Sequence, residues 1–111
     1  MTSKGLAQLG DALLNFGYSL ALTETIGRPR GTRVPDKVLA EAAVKAGLRK
    51  YLPRRVSRGE VANGLEALIA HSWQQKHLTL DDILACLKVE SITPANNFAK
   101  LAELALSRLG K

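Results

Sequence analysis

Carboxylates are the side chains in this chain with the strongest claim to chemistry, and two long helical stretches carry them. In the first stretch, residues 4–25, Asp11 is the only acid before Glu24. At about 100° per residue on a helix, it falls beside Lys4, Gln8 and Asn15 at the edge of a thin polar strip, with Ala7 and Leu14 as neighbours. An unpaired carboxylate is costly to bury, so Asp11 needs a cation, a metal ion or several donors beside it. Capping a neighbouring helix or pairing with an arginine would satisfy it without any function. In the second stretch Glu60, Asn63 and Glu66 recur at i, i+3 and i+6. That spacing puts them on one side, away from Val61, Leu65 and Leu68. Ala67 and Ala70 share that side and would let another helix, or a metal and a phosphate, come close to the backbone. Glu60 reads as a solvated residue. Glu66 lies among Ala67, Ala70 and Trp73, and its exposure stays open.

Other chemistries are poorly supplied. His71 and His77 lack the spacing of a zinc pair, and the lone Cys86 has no metal-binding neighbour in sequence. No glycine-rich loop followed by Lys and Ser or Thr is present to cradle a nucleotide phosphate. A single cysteine cannot form an internal disulfide; Cys86 reads as a small apolar residue in a reducing compartment, which points to the cytoplasm. No apolar run approaches the roughly 20 residues of a membrane span, and no secretory leader pattern opens the chain.

The elements that must position the acids follow from periodicity and caps. With 111 residues, 46% of them apolar, there is room for one domain, 1–111, with one core. Aromatics are few, so Leu, Ala, Val and Ile must build that core, a composition that suits helices. Leu6, Leu9, Leu13, Phe16 and Leu20 make one apolar stripe on the first helix, and Leu14, Tyr18 and Leu22 a second on its flank. A helix so apolar is expected to be central and contacted from several sides. The segment 27–35, with four prolines or glycines among its arginines, breaks it. Asp36 is expected to cap a second helix carrying Val38, Leu39, Ala42, Ala43 and Ala46 and ending near Gly47. Ser57 and Glu60 have the spacing of a capping box for a third helix, running to about Lys76. Thr79 is expected to cap a fourth, with Asp81 and Asp82 in its first turn. Thr93-Pro94 reads as a cap and first residue of a fifth, on which Phe98, Leu101, Ala105 and Leu109 recur. No segment alternates as a strand, so the fold class is all-α.

Charge is concentrated as well. Sixteen Lys and Arg face ten acids, a net charge of +6. Between Arg28 and Arg58 lie ten basic residues and only Asp36 and Glu41 as acids, so that third of the chain carries +8 and the remainder −2. A basic zone in Gly- and Pro-containing loops points to a polyanion, nucleic acid first; a well-solvated surface is the alternative. A helix-turn-helix DNA binder would need a polar recognition helix, where the segment after Tyr51 offers a Pro-broken loop.

Three stretches together resemble a known family. Leu9-Gly10-Asp11-Ala12-Leu13-Leu14 resembles the signature helix of the ribonuclease III family, commonly L-E-F-L-G-D-A-V-L. Residues 61–70, VANGLEALIA, resemble its second motif, A-D-x-F-E-A-L-I-G-A. Between them, the helix ending Gly47-Leu48 followed by Tyr51-Leu52 matches the family's helix-Gly-Leu-x-x-Tyr-Leu segment in position and length. The likeness covers roughly residues 6–73, and the trimmed layout is similar to short, stand-alone branches of the family, including the archaeal one. The preceding helices of the full-length enzymes and a separate duplex-RNA-binding domain are not expected here. Residues 80–109 are expected to add two helices that complete the core.

The resemblance implies a ribonuclease III endonuclease-domain-like bundle of about five helices. It also implies a homodimer whose signature helices pack against each other and form a valley for double-stranded RNA. Four family acids bind Mg²⁺, with Mn²⁺ as a possible substitute, and the metal activates water for phosphodiester hydrolysis. Asp11 matches the first-motif Asp and Glu66 the second-motif Glu, which makes them the catalytic candidates. Asn63 stands where the second-motif Asp is found and offers a neutral oxygen, so the metal set is Asp11, Asn63 and Glu66. Ala7 stands where the first-motif Glu is found and offers nothing. Arg28, Arg30, Arg33, Arg54, Arg55 and Arg58 are the candidate RNA contacts. Two readings remain open: a magnesium-dependent endoribonuclease with a reduced ligand set, and a non-catalytic RNA-binding or ribonucleoprotein-assembly module that keeps the fold.

Overall fold

A computed structural model of the chain describes residues 4–88 and 94–109. Five helices appear in it: α1 (Lys4–Ile26), α2 (Asp36–Lys45), α3 (Arg58–Gln74), α4 (Leu80–Leu87) and α5 (Pro94–Arg108), with a short 3-10 turn at Leu48–Tyr51 between α2 and α3. Among the described residues there is no strand. The expected all-α class and helix number are what is seen. The expected cap Thr93 lies outside the described residues.

The central helix is α3, which corrects the expectation that α1 would be. Val61, Ala62, Leu65, Ala67, Leu68, Ile69, Ala70 and Ser72 are all buried, which leaves α3 little polar surface. It is packed on by α1, α2 and α5. Its start is fixed as the sequence predicts. The Ser57 hydroxyl accepts a hydrogen bond from the Glu60 N–H at 3.2 Å, and the Glu60 carboxylate accepts one from the Ser57 N–H at 3.2 Å. The same reciprocal device opens α4, between Thr79 and Asp82.

On α1 the buried line is Gly10, Leu14, Gly17 and Ala21. The longer stripe of large residues faces elsewhere: Phe16 is 55% exposed, and Leu6, Leu9, Leu13 and Leu20 are half-buried. Close approach decides this orientation. A Cβ on Gly10 would fall inside van der Waals contact of the Glu66 backbone oxygen and 2.8 Å from the Glu66 Cα. One on Gly17 would stand 2.9 Å from the Ile83 side chain of α4. Small residues turn inward because the neighbouring helices come too near for large ones. Tyr18, from the flanking stripe, packs its ring 5.5 Å from that of Phe98 on α5.

The C-terminal helices complete the core, as expected. Phe98, Leu101, Ala102 and Ala105 of α5 are buried against α2, α3 and α4. The Arg108 guanidinium donates 2.9 Å hydrogen bonds to the His77 carbonyl and to the Asp82 carboxylate, so the end of α5 is tied to the start of α4. Hydrogen bonding from the Thr79 backbone, with Arg108 beside it, holds the Asp82 carboxyl below its usual range. Cys86 is half-buried against the core, and burial pushes its thiol up.

The segment after α1 has no regular secondary structure but is held along α1. Asn15, Ser19 and Thr23, spaced four apart on α1, each hold the backbone of an alternate residue in it. The Asn15 amide oxygen accepts from the Val34 N–H at 2.7 Å, the Ser19 hydroxyl from the Thr32 N–H at 2.8 Å, and the Thr23 hydroxyl from the Arg30 N–H at 3.0 Å. The Ser19 hydroxyl donates back to the Thr32 carbonyl at 2.9 Å. The chain therefore runs back along α1 as a strap and delivers Pro35 to the start of α2. Pro35, not Asp36, occupies the N-cap, and Asp36 lies in the first turn. That corrects the role read for Asp36 from sequence, because the fixed φ of proline suits the extended cap position.

Candidate active site

The near-contact of α1 and α3 at Gly10 and Glu66 brings the two candidate acids side by side. Asp11 follows Gly10 on α1, near enough to the Glu66 carboxyl of α3 to influence its titration. Both line a cavity of about 460 Å³, together with Lys4, Ala7, Gln8, Arg33, Asp36 and Asn63. All three metal-ligand candidates, Asp11, Asn63 and Glu66, thus meet in one place, and Ala7 opens onto it.

Glu66 is only 4% exposed. Burial is the main reason its carboxyl is pushed up from 4.5 to about 8; the hydrogen bond and charge of Asp11 and the charge of Asp36 add to this, and Arg33 opposes it. At neutral pH the Glu66 carboxyl therefore keeps its proton. Asp11 has the partners its position demanded. Its carboxylate accepts a 3.1 Å hydrogen bond from the Asn15 amide and faces the Arg33 guanidinium at 3.8 Å. Asn15 thus serves twice, orienting Asp11 with one end of its amide and the strap with the other.

The remaining residues divide. Glu60 is exposed and committed to the α3 capping box, so it does not stand in for a missing acid. Among the six candidate arginines only Arg33 lines the acidic cavity. Arg58 lines a second depression of about 390 Å³ with Lys37 and Arg49 over Val44, Val56 and Val61. Arg28, Arg30, Arg54 and Arg55 are exposed in the two loops. Asp36 escaped the sequence reading as a site residue because a proline-preceded Asp at a helix start looks like a cap. The strap that carries it into the cavity depends on Asn15, Ser19 and Thr23, whose i+4 spacing is the one signal present in the sequence.

An oxygen-rich cavity of this kind suits a hard cation. Asp11 and Glu66 offer carboxylates and Asn63 an amide oxygen, with no sulfur or imidazole among the lining residues. Such a cation would have to displace the proton held by Glu66.

Among the described residues no helix is long and apolar enough to cross a membrane. No curated protein matches the chain. A family model described as Ribonuclease III matches residues 4–110, which includes both acid-bearing helices and the two C-terminal ones. With a match of that extent over an all-helical fold, the chain belongs to the ribonuclease III family.

Proposed function

We propose that this protein is a homodimer that binds double-stranded RNA and cuts it as a magnesium-dependent endoribonuclease with a reduced acidic set. The observation that carries the reading is the meeting of Asp11 and Glu66 in one cavity, held there by the contact between Gly10 and the Glu66 backbone. Asp11 and Glu66 bind the ion and Asn63 contributes its amide oxygen. Bound Mg²⁺, or Mn²⁺ in its place, would supply an acidified water and stabilise charge on the phosphate. Arg33, 83% exposed and next to Asp11, is placed to turn toward a phosphate once a cation neutralises that carboxylate. Arg28, Arg30, Arg54, Arg55 and Arg58 contact phosphates along the duplex, with steep salt dependence and little sequence preference. The exposed Phe16 and the residues flanking it on α1 supply the dimer face. A cytoplasmic setting fits the lone thiol of Cys86.

A specific observation favours a second reading, a non-catalytic RNA-binding or ribonucleoprotein-assembly module. Ala7 and Asn63 both line the cavity, so two of the four family acids are absent from the place where they would act. One experiment separates the two. Purified protein is incubated with long duplex RNA, with and without Mg²⁺ or Mn²⁺, beside the Glu66→Ala variant. Metal-dependent cleavage lost in the variant supports the enzyme. Intact RNA that is shifted in a gel at low salt regardless of metal supports the module. If RNA is neither bound nor cut, both readings fall.

A further inference from the structure

We propose that Asp36 is the third acid of the metal site, accepting a hydrogen bond from a metal-bound water and restoring charge that Ala7 no longer provides. The inference rests on the reading that the cavity holds Mg²⁺. Asp36 comes from a helix that bears neither acid motif, yet it lines the same cavity as Asp11, Asn63 and Glu66. Its negative charge is felt at Glu66.

Its carboxylate does not cap α2. Pro35 takes the N-cap of α2, and no hydrogen bond or ion pair among the described residues engages the Asp36 side chain. The exposed Asp36 follows a backbone that is itself held. Two residues earlier, the Val34 N–H is held by Asn15 at 2.7 Å, and the same Asn15 holds Asp11 at 3.1 Å. One side chain on α1 therefore sets where both Asp11 and the start of α2 lie.

Direct ligation by all three acids does not fit. Among the described residues no three acidic, histidine or cysteine side chains converge closely enough to hold one ion. Mg²⁺ does not require it, because it keeps several waters and binds through one or two carboxylates. Its waters are strong donors, and a carboxylate in the outer shell can accept from them and hold them in place. The competing role for Asp36 is local, a favourable charge at the start of α2. That role would act on stability without metal and leave metal affinity alone.

Calorimetric titration with Mg²⁺ alone and Mn²⁺ alone, without RNA, tests this on the full chain, D36N and E66Q, alongside metal-free melting temperatures. D36N is expected to bind either ion about tenfold more weakly, at the lower end of what loss of an outer-shell partner costs, with its metal-free melting temperature nearly unchanged. Wild-type affinity in D36N with binding lost in E66Q overturns the role of Asp36 and leaves the metal site standing. No saturable binding by the wild type, or full binding by E66Q, overturns the metal site and the role of Asp36 with it. Should D36N melt lower without metal, D36E decides: affinity near wild type supports the proposal, and affinity as weak as in D36N overturns it.

Discussion

Gly10 of α1 lies so close to Glu66 of α3 that a Cβ at position 10 would come 2.8 Å from the Glu66 Cα, nearer than real side chains approach backbone. Because Asp11 is the next residue, this contact sets the spacing of the acid pair as well as that of the helices. Gly10→Ala is therefore expected to destabilise the protein by about 2 kcal/mol, a typical overpacking cost, despite the ~1 kcal/mol that alanine gains as a helix former. Denaturant titration reads the loss. A variant as stable as the wild type would show that the helices part freely there.

The proton held by Glu66 gives stability a definite pH dependence. The folded carboxyl titrates near 8, against 4.5 as its ordinary value, so the folded chain keeps a proton that the unfolded chain releases between those limits. Its contribution is fully present below about pH 4.5 and is lost as pH rises through about 8, at up to ~1.4 kcal/mol per pH unit. Melting temperature should fall across that window, and Glu66→Gln should flatten the fall. Saturating Mg²⁺ should offset it in the wild type by binding the ionised pair. A wild-type profile as flat as that of the variant would show that Glu66 does not keep its proton.

Phe16 tests the dimer. At 55% exposed it contributes little to the protomer's own core, so Phe16→Glu is expected to change protomer folding slightly while placing a charge in the proposed α1–α1 contact. Sedimentation should show a dimeric wild type and a monomeric variant. A wild type that is monomeric at the concentrations used for RNA binding would reject the interface.

Asn15 tests the strap. In Asn15→Ala the buried Val34 loses the acceptor for its N–H and Asp11 loses a donor, a combined cost of about 1–3 kcal/mol. Hydrogen exchange at Thr32 and Val34 should accelerate well beyond that in α3, and Mg²⁺ affinity should drop because Asp11 and Asp36 both lose their positions. Unchanged exchange at Val34 would mean that the strap is held by its own turn geometry.

Much of the scaffold was legible in the sequence because it is written in local chemistry. Ser57 with Glu60 and Thr79 with Asp82 announce helix starts that need nothing beyond their own turn. Asp11 and Glu66 stood out through their motif context. Orientation was less legible. Hydrophobicity alone assigns the inward face of α1 to its larger stripe, whereas Gly10 and Gly17 face inward because of how near Glu66 and Ile83 come, and that nearness is a property of three packed helices. The place of Asp36 was hidden for a similar reason. It depends on the hydrogen bond that the Val34 N–H donates to Asn15, 19 residues earlier, which no residue type near Asp36 signals.

The strap along α1 also acts as a length gauge. Each four-residue step on the helix, from Asn15 to Ser19 to Thr23, is matched by a two-residue step on the strap, from Val34 to Thr32 to Arg30. The two steps are commensurate: four helical residues rise about 6 Å, and two extended residues span about 6.6 Å. Inserting or deleting one residue between Arg30 and Val34 would throw the rungs out of phase, and α2 would start with the wrong side of its first turn toward the acids. Changes of two residues would preserve the phase. Length variation in this segment should therefore come in even steps, a parity rule imposed by the pitch of a neighbouring helix.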